Sequence, residues 1–215
     1  MASFSSFYFE EGETMSEHYY SNQPKVESTP QHFQFTLLGH TFTFETDAGV
    51  FSKSEVDFGS RVLIDAFELP GVTGDILDVG CGYGPIGLSM AKTYPEHQVQ
   101  MVDVNERALQ LSKKNAERNG IQNVRIYPSD GLSAVQKNRP IAAVITNPPI
   151  RAGKDTVFRF YQGAYELLVS GGELWVVIQK KQGAPSTVAY LEDLFASVEV
   201  VEKKKGYWII KAEKK

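Results

Sequence analysis

The chain has 215 residues, of which 42% are apolar, 22% charged and 12% aromatic, which excludes wholesale disorder and leaves room for one sizeable core. No run of about 18 apolar residues occurs, so no transmembrane helix is expected. The one cysteine, Cys81, excludes an internal disulfide framework and a cysteine-based zinc site, and His18, His32, His40 and His97 have no metal-ligand spacing, so no metal is expected. The net charge of −4 is uneven. Residues 1–28 carry five acids and one base, residues 29–150 thirteen acids and ten bases, and residues 151–215 eight acids and eleven bases. This is not the balance of a dedicated nucleic-acid binder, but it leaves a local basic edge: Arg151, Lys154 and Arg159, then Lys180 and Lys181, then Lys203, Lys204 and Lys205.

Residues 1–28 have no basic leader and no continuous apolar stretch, so they do not read as a secretory signal; they are expected to form a flexible extension. Glu10-Glu11-Gly12-Glu13 corresponds to a purine-rich coding stretch just ahead of Met15, as a bacterial ribosome-binding site would, so initiation at Met15 is an expectation. FQFTL (33–37) and TFTFET (41–46) alternate as a hairpin would. From Asp57 to Glu68 the apolar residues recur at helical spacing, and Pro70-Gly71 closes the segment. Strand and helix then alternate strictly. Strands are predicted at 76–79, 99–104, 124–127, 142–146 and 173–179, and helices near 84–93, 105–119, 131–137, 155–169 and 185–196. The strands are continuous apolar runs, as in parallel sheets covered on both faces. VEVVEKKKGYWIIKAE ends the pattern as an antiparallel hairpin with a basic turn. The fold class is α/β: a doubly wound, seven-stranded, mostly parallel sheet with a C-terminal antiparallel hairpin, preceded by a short β-hairpin and helix. The division is extension 1–28, hairpin and helix cap 29–70, and core 71–215.

DILDVGCGYGPIGL (75–88) is a strand, a glycine-rich turn and a helix start. Gly80, Gly82 and Gly84 permit a sharp turn and close approach of a ligand, and Pro85 suits the first helical turn. Residues 82–87 fit G-x-G-x-x-G, the dinucleotide fingerprint. However, Asp78 and Gly80 precede it, and an acid at the strand end would repel a pyrophosphate. It suits a ligand with an amino group and no phosphate.

The spacing D-x-G-x-G-x-G, carried by Asp78, Gly80, Gly82 and Gly84, resembles the first motif of class I methyltransferases, which implies S-adenosylmethionine as cofactor. In that resemblance Asp103 ends the second core strand, where an acid takes the ribose hydroxyls, with Val104 beside it; Asp130 and Gly131 lie where the adenine amino group is bound; Cys81 is a small loop residue. Asn147-Pro148-Pro149-Ile150 follows the fourth core strand. Two prolines fix φ and remove two donors, leaving a rigid turn that presents carbonyl oxygens and one amide. The Asn147 side-chain oxygen and the Pro148 carbonyl can accept both hydrogens of an amino group and aim its lone pair at a methyl carbon. Motifs of this type mark methylation of adenine N6, cytosine N4, guanine N2 or a protein glutamine. Families acting on adenine or glutamine usually have an aromatic where this chain has Ile150.

HYYSNQPKVES (18–28), TDAGVFSKSEVDFGSRVLIDAF (46–67), LDVGCGYGPIGL, VDVNERALQLSKKN and TNPPIRAGK together resemble the small methyltransferase domain related to RsmC, over about residues 18–215. That resemblance implies methylation of guanine N2 in small-subunit ribosomal RNA, with ribosomal RNA or the small subunit as partner, a cytoplasmic location, no membrane, and a monomer or homodimer. Phe51, Ser52 and Lys53 are expected to help cover the methionine end of the cofactor. Ile150, Arg151, Lys154 and Lys180, with Lys181, are expected near the substrate, as apolar contact or phosphate ligands. Tyr83 is expected to pack on the helix start. The rival readings are methylation of another amino nitrogen, and a module that binds RNA or cofactor without turnover.

Overall fold

The computed structural model describes residues 27–50, 55–148 and 153–215. β1 (Gln31–Leu37) and β2 (His40–Thr46) pair antiparallel across Leu38-Gly39. Both turn residues have positive φ, 48° and 78°, the mirror-image turn that matches strand twist in a two-residue hairpin. Thr46 leads out of β2 to Asp47, which accepts hydrogen bonds from Ser28 Oγ and the Thr29 amide. Of the expected extension, residues 1–26 lie outside the described residues.

Helix α1 (Phe58–Ala66) is capped by Asp57, whose carboxylate accepts from the Ser60 amide at 3.0 Å. Then come β3 (Asp75–Val79), α2 (Pro85–Thr93), β4 (Val99–Asp103), α3 (Glu106–Arg118), β5 (Val124–Pro128), β6 (Ile141–Thr146), α4 (Lys154–Leu167), β7 (Leu168–Gln179), a 3-10 turn at Lys180–Gln182, α5 (Ala184–Leu194), β8 (Ser197–Lys204) and β9 (Tyr207–Glu213). The sheet order is β5-β4-β3-β6-β7-β9-β8. Its first five strands are parallel, and β9 inserts antiparallel between β7 and β8. The seven-stranded, mostly parallel sheet and its antiparallel end match the sequence reading.

Successive strand residues feed opposite faces, as the pleat requires. Ile76, Met101, Ile145, Trp175 and Val177 pack with α1, α2, α3 and the N-terminal hairpin. Leu77, Val102, Val144, Val176 and Ile178 pack under α4 and α5. The strand order reverses between β3 and β6. Their carboxyl ends diverge there, and such switch points are where open α/β sheets bind ligands.

Two expectations need correction. Residues 131–137 form no regular helix: 131–134 are turns. The Ser129 hydroxyl accepts the Ala134 amide at 3.1 Å and donates to the Gly131 carbonyl, while Gly131 has φ 54°. A local side-chain bond thus takes an N–H that a helix would use. In addition, β7 starts at Leu168, not residue 173. Its first residues reach β6 through a register shift, from Ile141↔Leu168 to Ala143↔Glu173, across Gly171-Gly172. A bulge of this kind hides a strand start from a pattern search.

Candidate active site

The glycine loop is shaped by positive φ at Gly80 (74°), Gly82 (58°) and Gly84 (102°). These glycines serve different ends. A Cβ at Gly80 or Gly82 would meet nothing within 4 Å, so open space lies above both. A Cβ at Gly84 would strike Ser112 Oγ at 2.8 Å and Leu88 Cδ1 at 2.9 Å, so this glycine lets the loop pack on α2 and α3. The Gly80 and Cys81 amides both donate to the Val102 carbonyl, at 2.9 and 3.0 Å. Cys81 is buried, and burial, followed by the nearby carboxylates, pushes its thiol well up. That suits a loop residue and disarms a nucleophile.

Asp103, at the end of β4, accepts the Gly82 amide at 2.9 Å and the Asn105 amide at 2.9 Å. It therefore ties the loop to the neighbouring strand, and Val104 continues the same edge. Asp78 is fully buried and accepts the Gly87 amide at 2.8 Å; its Oδ1 has no partner among the described residues. Desolvation, partly offset by that amide and reinforced by Asp103, raises its carboxyl to about 7. The Asp103 carbonyl accepts the Ser129 amide, which carries exposed Asp130 and Gly131 to the same edge. Thr146 Oγ1 donates to the Val79 carbonyl at 3.0 Å and brings the end of β6 alongside. Asp78, the glycine loop, Asp103, Asp130 and Asn147 thus meet at the carboxyl edge around the switch point.

Asn147 is held in one sense. Its Nδ2 donates to Asp57 Oδ2 at 3.2 Å and Ser60 Oγ at 3.1 Å, while its Oδ1 has no partner among the described residues. Pro148, next in the chain, is buried. Asp57 and Ser60 were missed as site residues. The signal was present, since an aspartate preceding a helical run is a cap, but nothing local says that it also faces residue 147.

Lys154 sits at the start of α4, exposed, with Nζ 5.1 Å from the Phe158 ring centre. Lys180 opens the 3-10 turn beyond β7 and lines a cleft of about 650 Å³ with Gln179, Lys181, Pro185, Lys205 and Gly206. Tyr83 is buried edge-on against Phe33 and Phe44 of the hairpin. Pro149, Ile150 and Arg151, like Phe51, Ser52 and Lys53, lie outside the described residues. Among those described, no group of three or more His, Cys, Asp or Glu could hold a metal, and no helix is long and apolar enough to cross a membrane.

Residues 41–211 match the model of the methyltransferase small domain. The chain belongs to that family. Among its relatives in this family is YbxB, an uncharacterized protein of Bacillus subtilis, 60% identical over 93% of this chain and all of that protein. The ribosomal RNA small subunit methyltransferase C of Vibrio cholerae is 32% identical over 82% of this chain. A solved 16S rRNA N2-guanosine methyltransferase of T. thermophilus (RsmC), in complex with AdoMet and guanosine, superposes with TM-score 0.78 at 26% identity over 89% of this chain. The chain spans only about half of each of the latter two, 51% and 52%. The fold of this small-domain methyltransferase thus corresponds to about half the length of those larger enzymes.

Proposed function

We propose that the chain transfers a methyl group from S-adenosylmethionine to guanine N2 of small-subunit ribosomal RNA. The observation that carries this reading is the Asn147 amide, anchored through its nitrogen, with its oxygen unpartnered among the described residues at the sheet edge beside the glycine loop. The residues fit the cofactor: open space above Gly80 and Gly82, a buried carboxylate oxygen of Asp78 without a partner among the described residues, Asp103 with Val104 at the next strand end, and Asp130 with Gly131 beyond it. When bound, S-adenosylmethionine supplies an electrophilic methyl group on a sulfonium.

The protein's part is to place the acceptor. An exocyclic amine delocalises its lone pair into the ring. Asn147 Oδ1 and the Pro148 carbonyl accept its two hydrogens, and the fixed φ of Pro148 restrains the acceptors. This favours a pyramidal nitrogen with its lone pair directed outward. The same acceptors bind the amine more strongly as positive charge develops on it, so they act chiefly in the transition state. Its proton leaves to water after transfer.

The likeness to enzymes acting on 16S rRNA supports ribosomal RNA as the acceptor, and so does the basic cleft. Lys180, Lys181 and Lys205 are exposed there beside the end of β7, one strand from Asn147, and suit phosphates flanking the target. Ile150 closes the motif and Arg151 and Lys154 follow it in sequence, and we assign them to the substrate as apolar contact and phosphate ligands. In this reading the chain acts in the cytoplasm, as a monomer on the assembled subunit or as a homodimer.

The test is transfer of labelled methyl from S-adenosylmethionine to purified small subunits and to naked ribosomal RNA, followed by digestion to nucleosides. Label in N2-methylguanosine is expected. Label in another nucleoside or in protein would overturn the guanine assignment. No label, with cofactor bound in calorimetry, would overturn ribosomal RNA as acceptor.

A further inference from the structure

We infer that Asp57 and Ser60 are positioning residues of the transfer reaction, which fix the flip of the Asn147 amide so that oxygen, not nitrogen, faces the acceptor. This rests on the reading of Asn147 as the amine-binding group. An asparagine amide has two faces of opposite hydrogen-bonding sense that differ by a half-turn about one bond. Only one sense serves here, because an amino group needs acceptors. If the –NH₂ face turned outward, it would set donors against donors.

Nothing in the Asn147-Pro148 backbone chooses between the two senses; the choice comes from α1, ninety residues away. Asp57 Oδ2 is a pure acceptor when ionised, and it lies 3.2 Å from Asn147 Nδ2. With the amide reversed, that carboxylate would confront an oxygen. Ser60 Oγ, in the first turn of α1 and buried, lies 3.1 Å from the same nitrogen. Ser60 is itself held by Asp57, which takes its amide at 3.0 Å. The pair is rigid for another reason: Gly59 lies between them against Tyr207, where an added Cβ would meet ring carbons at 2.7 and 2.9 Å. Tyr207 in turn accepts from Gln179 Nε2 at 2.7 Å. The helix start is thereby clamped between the ends of β6 and β9. Asp57 has two jobs, capping α1 and orienting Asn147, and the two can be separated by substitution.

Asp57→Ser keeps a good cap but is one bond too short to reach Asn147. Asp57→Asn keeps an oxygen that serves both. Ser60→Ala keeps the helix and removes the second acceptor. Asp57→Ser is expected to lower the single-turnover transfer rate about 10-fold, the size of one charge-assisted hydrogen bond. Melting temperature and S-adenosylmethionine affinity should stay near wild type. Ser60→Ala should show a smaller loss, and Asp57→Asn should recover most of the rate. In an Asn147→Ala background Asp57→Ser should add nothing, as for residues acting through one another.

The second readout needs no turnover. In the wild-type protein the Asn147 side-chain amide, assigned in ¹⁵N spectra by its loss in Asn147→Ala, should show slow hydrogen exchange that Asp57→Ser abolishes. An unchanged Asn147 signal in Asp57→Ser would overturn the inference, as would a rate loss that tracks melting temperature and persists without Asn147. Should wild-type protein methylate a different amine, the guanine reading falls while both readouts still judge Asp57 and Ser60.

Discussion

Asp78 lies at zero exposure with, among the described residues, one hydrogen bond for two oxygens. Burial, followed by the opposing effect of the Gly87 amide and the reinforcing charge of Asp103, raises its carboxyl from 3.8 to about 7. Between those values the folded protein keeps a proton that the unfolded chain has released. Stability from this group is therefore full in acid and falls as pH rises towards about 7. Asp103, also raised by desolvation, adds to the same slope. Glu45 is held down, first by its hydrogen bond to Lys114, and so acts in the opposite sense, its stability disappearing as pH falls below the ordinary carboxylate range. Asp78→Asn, which cannot titrate, is expected to lose stability relative to wild type at pH 5 and to narrow that gap at pH 8. Thermal melts of ligand-free protein at the two pH values check this; a gap independent of pH would show that Asp78 is ionised throughout. Asp103 has a different signature. Because it holds the Gly82 and Asn105 amides, Asp103→Ala should weaken S-adenosylmethionine by ~10-fold or more and cost about 1–2 kcal/mol in denaturant unfolding, whereas Asn147→Ala should leave cofactor affinity within several-fold in calorimetry.

The glycine loop divides its labour among residues that look alike in sequence. Gly82→Ala and Gly84→Ala both place a side chain at positive φ, a strain of roughly 1 kcal/mol or more. Only the second drives a methyl into neighbours, Ser112 and Leu88. Gly84→Ala is therefore expected to destabilise by about 2–4 kcal/mol, while Gly82→Ala folds with a smaller loss and weakens the cofactor. Urea unfolding and calorimetry on the two variants separate these effects; equal losses of stability would contradict the packing role of Gly84. The spacing D-x-G-x-G-x-G made the loop legible because three glycines and an acid leave few local conformations open. The parallel strands were legible as apolar runs because both their faces are buried. What stayed hidden depends on single bonds or distant partners. The Ser129 hydroxyl turns residues 131–134 away from a helix, and the start of β7 is set by its pairing with β6.

Across the whole molecule the N-terminal hairpin is fastened to the core by polar groups inside an otherwise apolar contact. Asn115 of α3 is fully buried. It accepts the Glu45 amide at 2.7 Å and donates to the carbonyls of Glu45 and Tyr83, both at 2.9 Å. One side chain thus joins β2, α3 and the residue before Gly84. Asn115→Ala removes three buried hydrogen bonds and should destabilise by about 2–5 kcal/mol. Chemical unfolding measures it, and a loss under ~1 kcal/mol would mean that water replaces the amide. A buried asparagine on an otherwise amphipathic helix gives no hint in sequence of which strand it will meet. The same holds for Asp57 and Asn147, distant in sequence and joined only when α1 docks on the sheet. The acids and glycines of the site could be read locally; the residues that aim them could not.

The place of β9 bears on how the chain is made. It follows β8 in the chain, yet it lies inside the sheet, with β7 on one side and β8 on the other. Until Tyr207–Glu213 has emerged, β8 has nothing to join and β7 presents an open edge, an invitation to pair with another chain. Tyr207 also braces the start of α1 beneath Asn147. A nascent chain that stops short of residue 207 therefore lacks both its sheet closure and the brace for its acceptor site. Translation errors that truncate the protein before β9 would yield fragments with an exposed sheet edge for the cell's proteases, and only chains that reach β9 would carry a braced site.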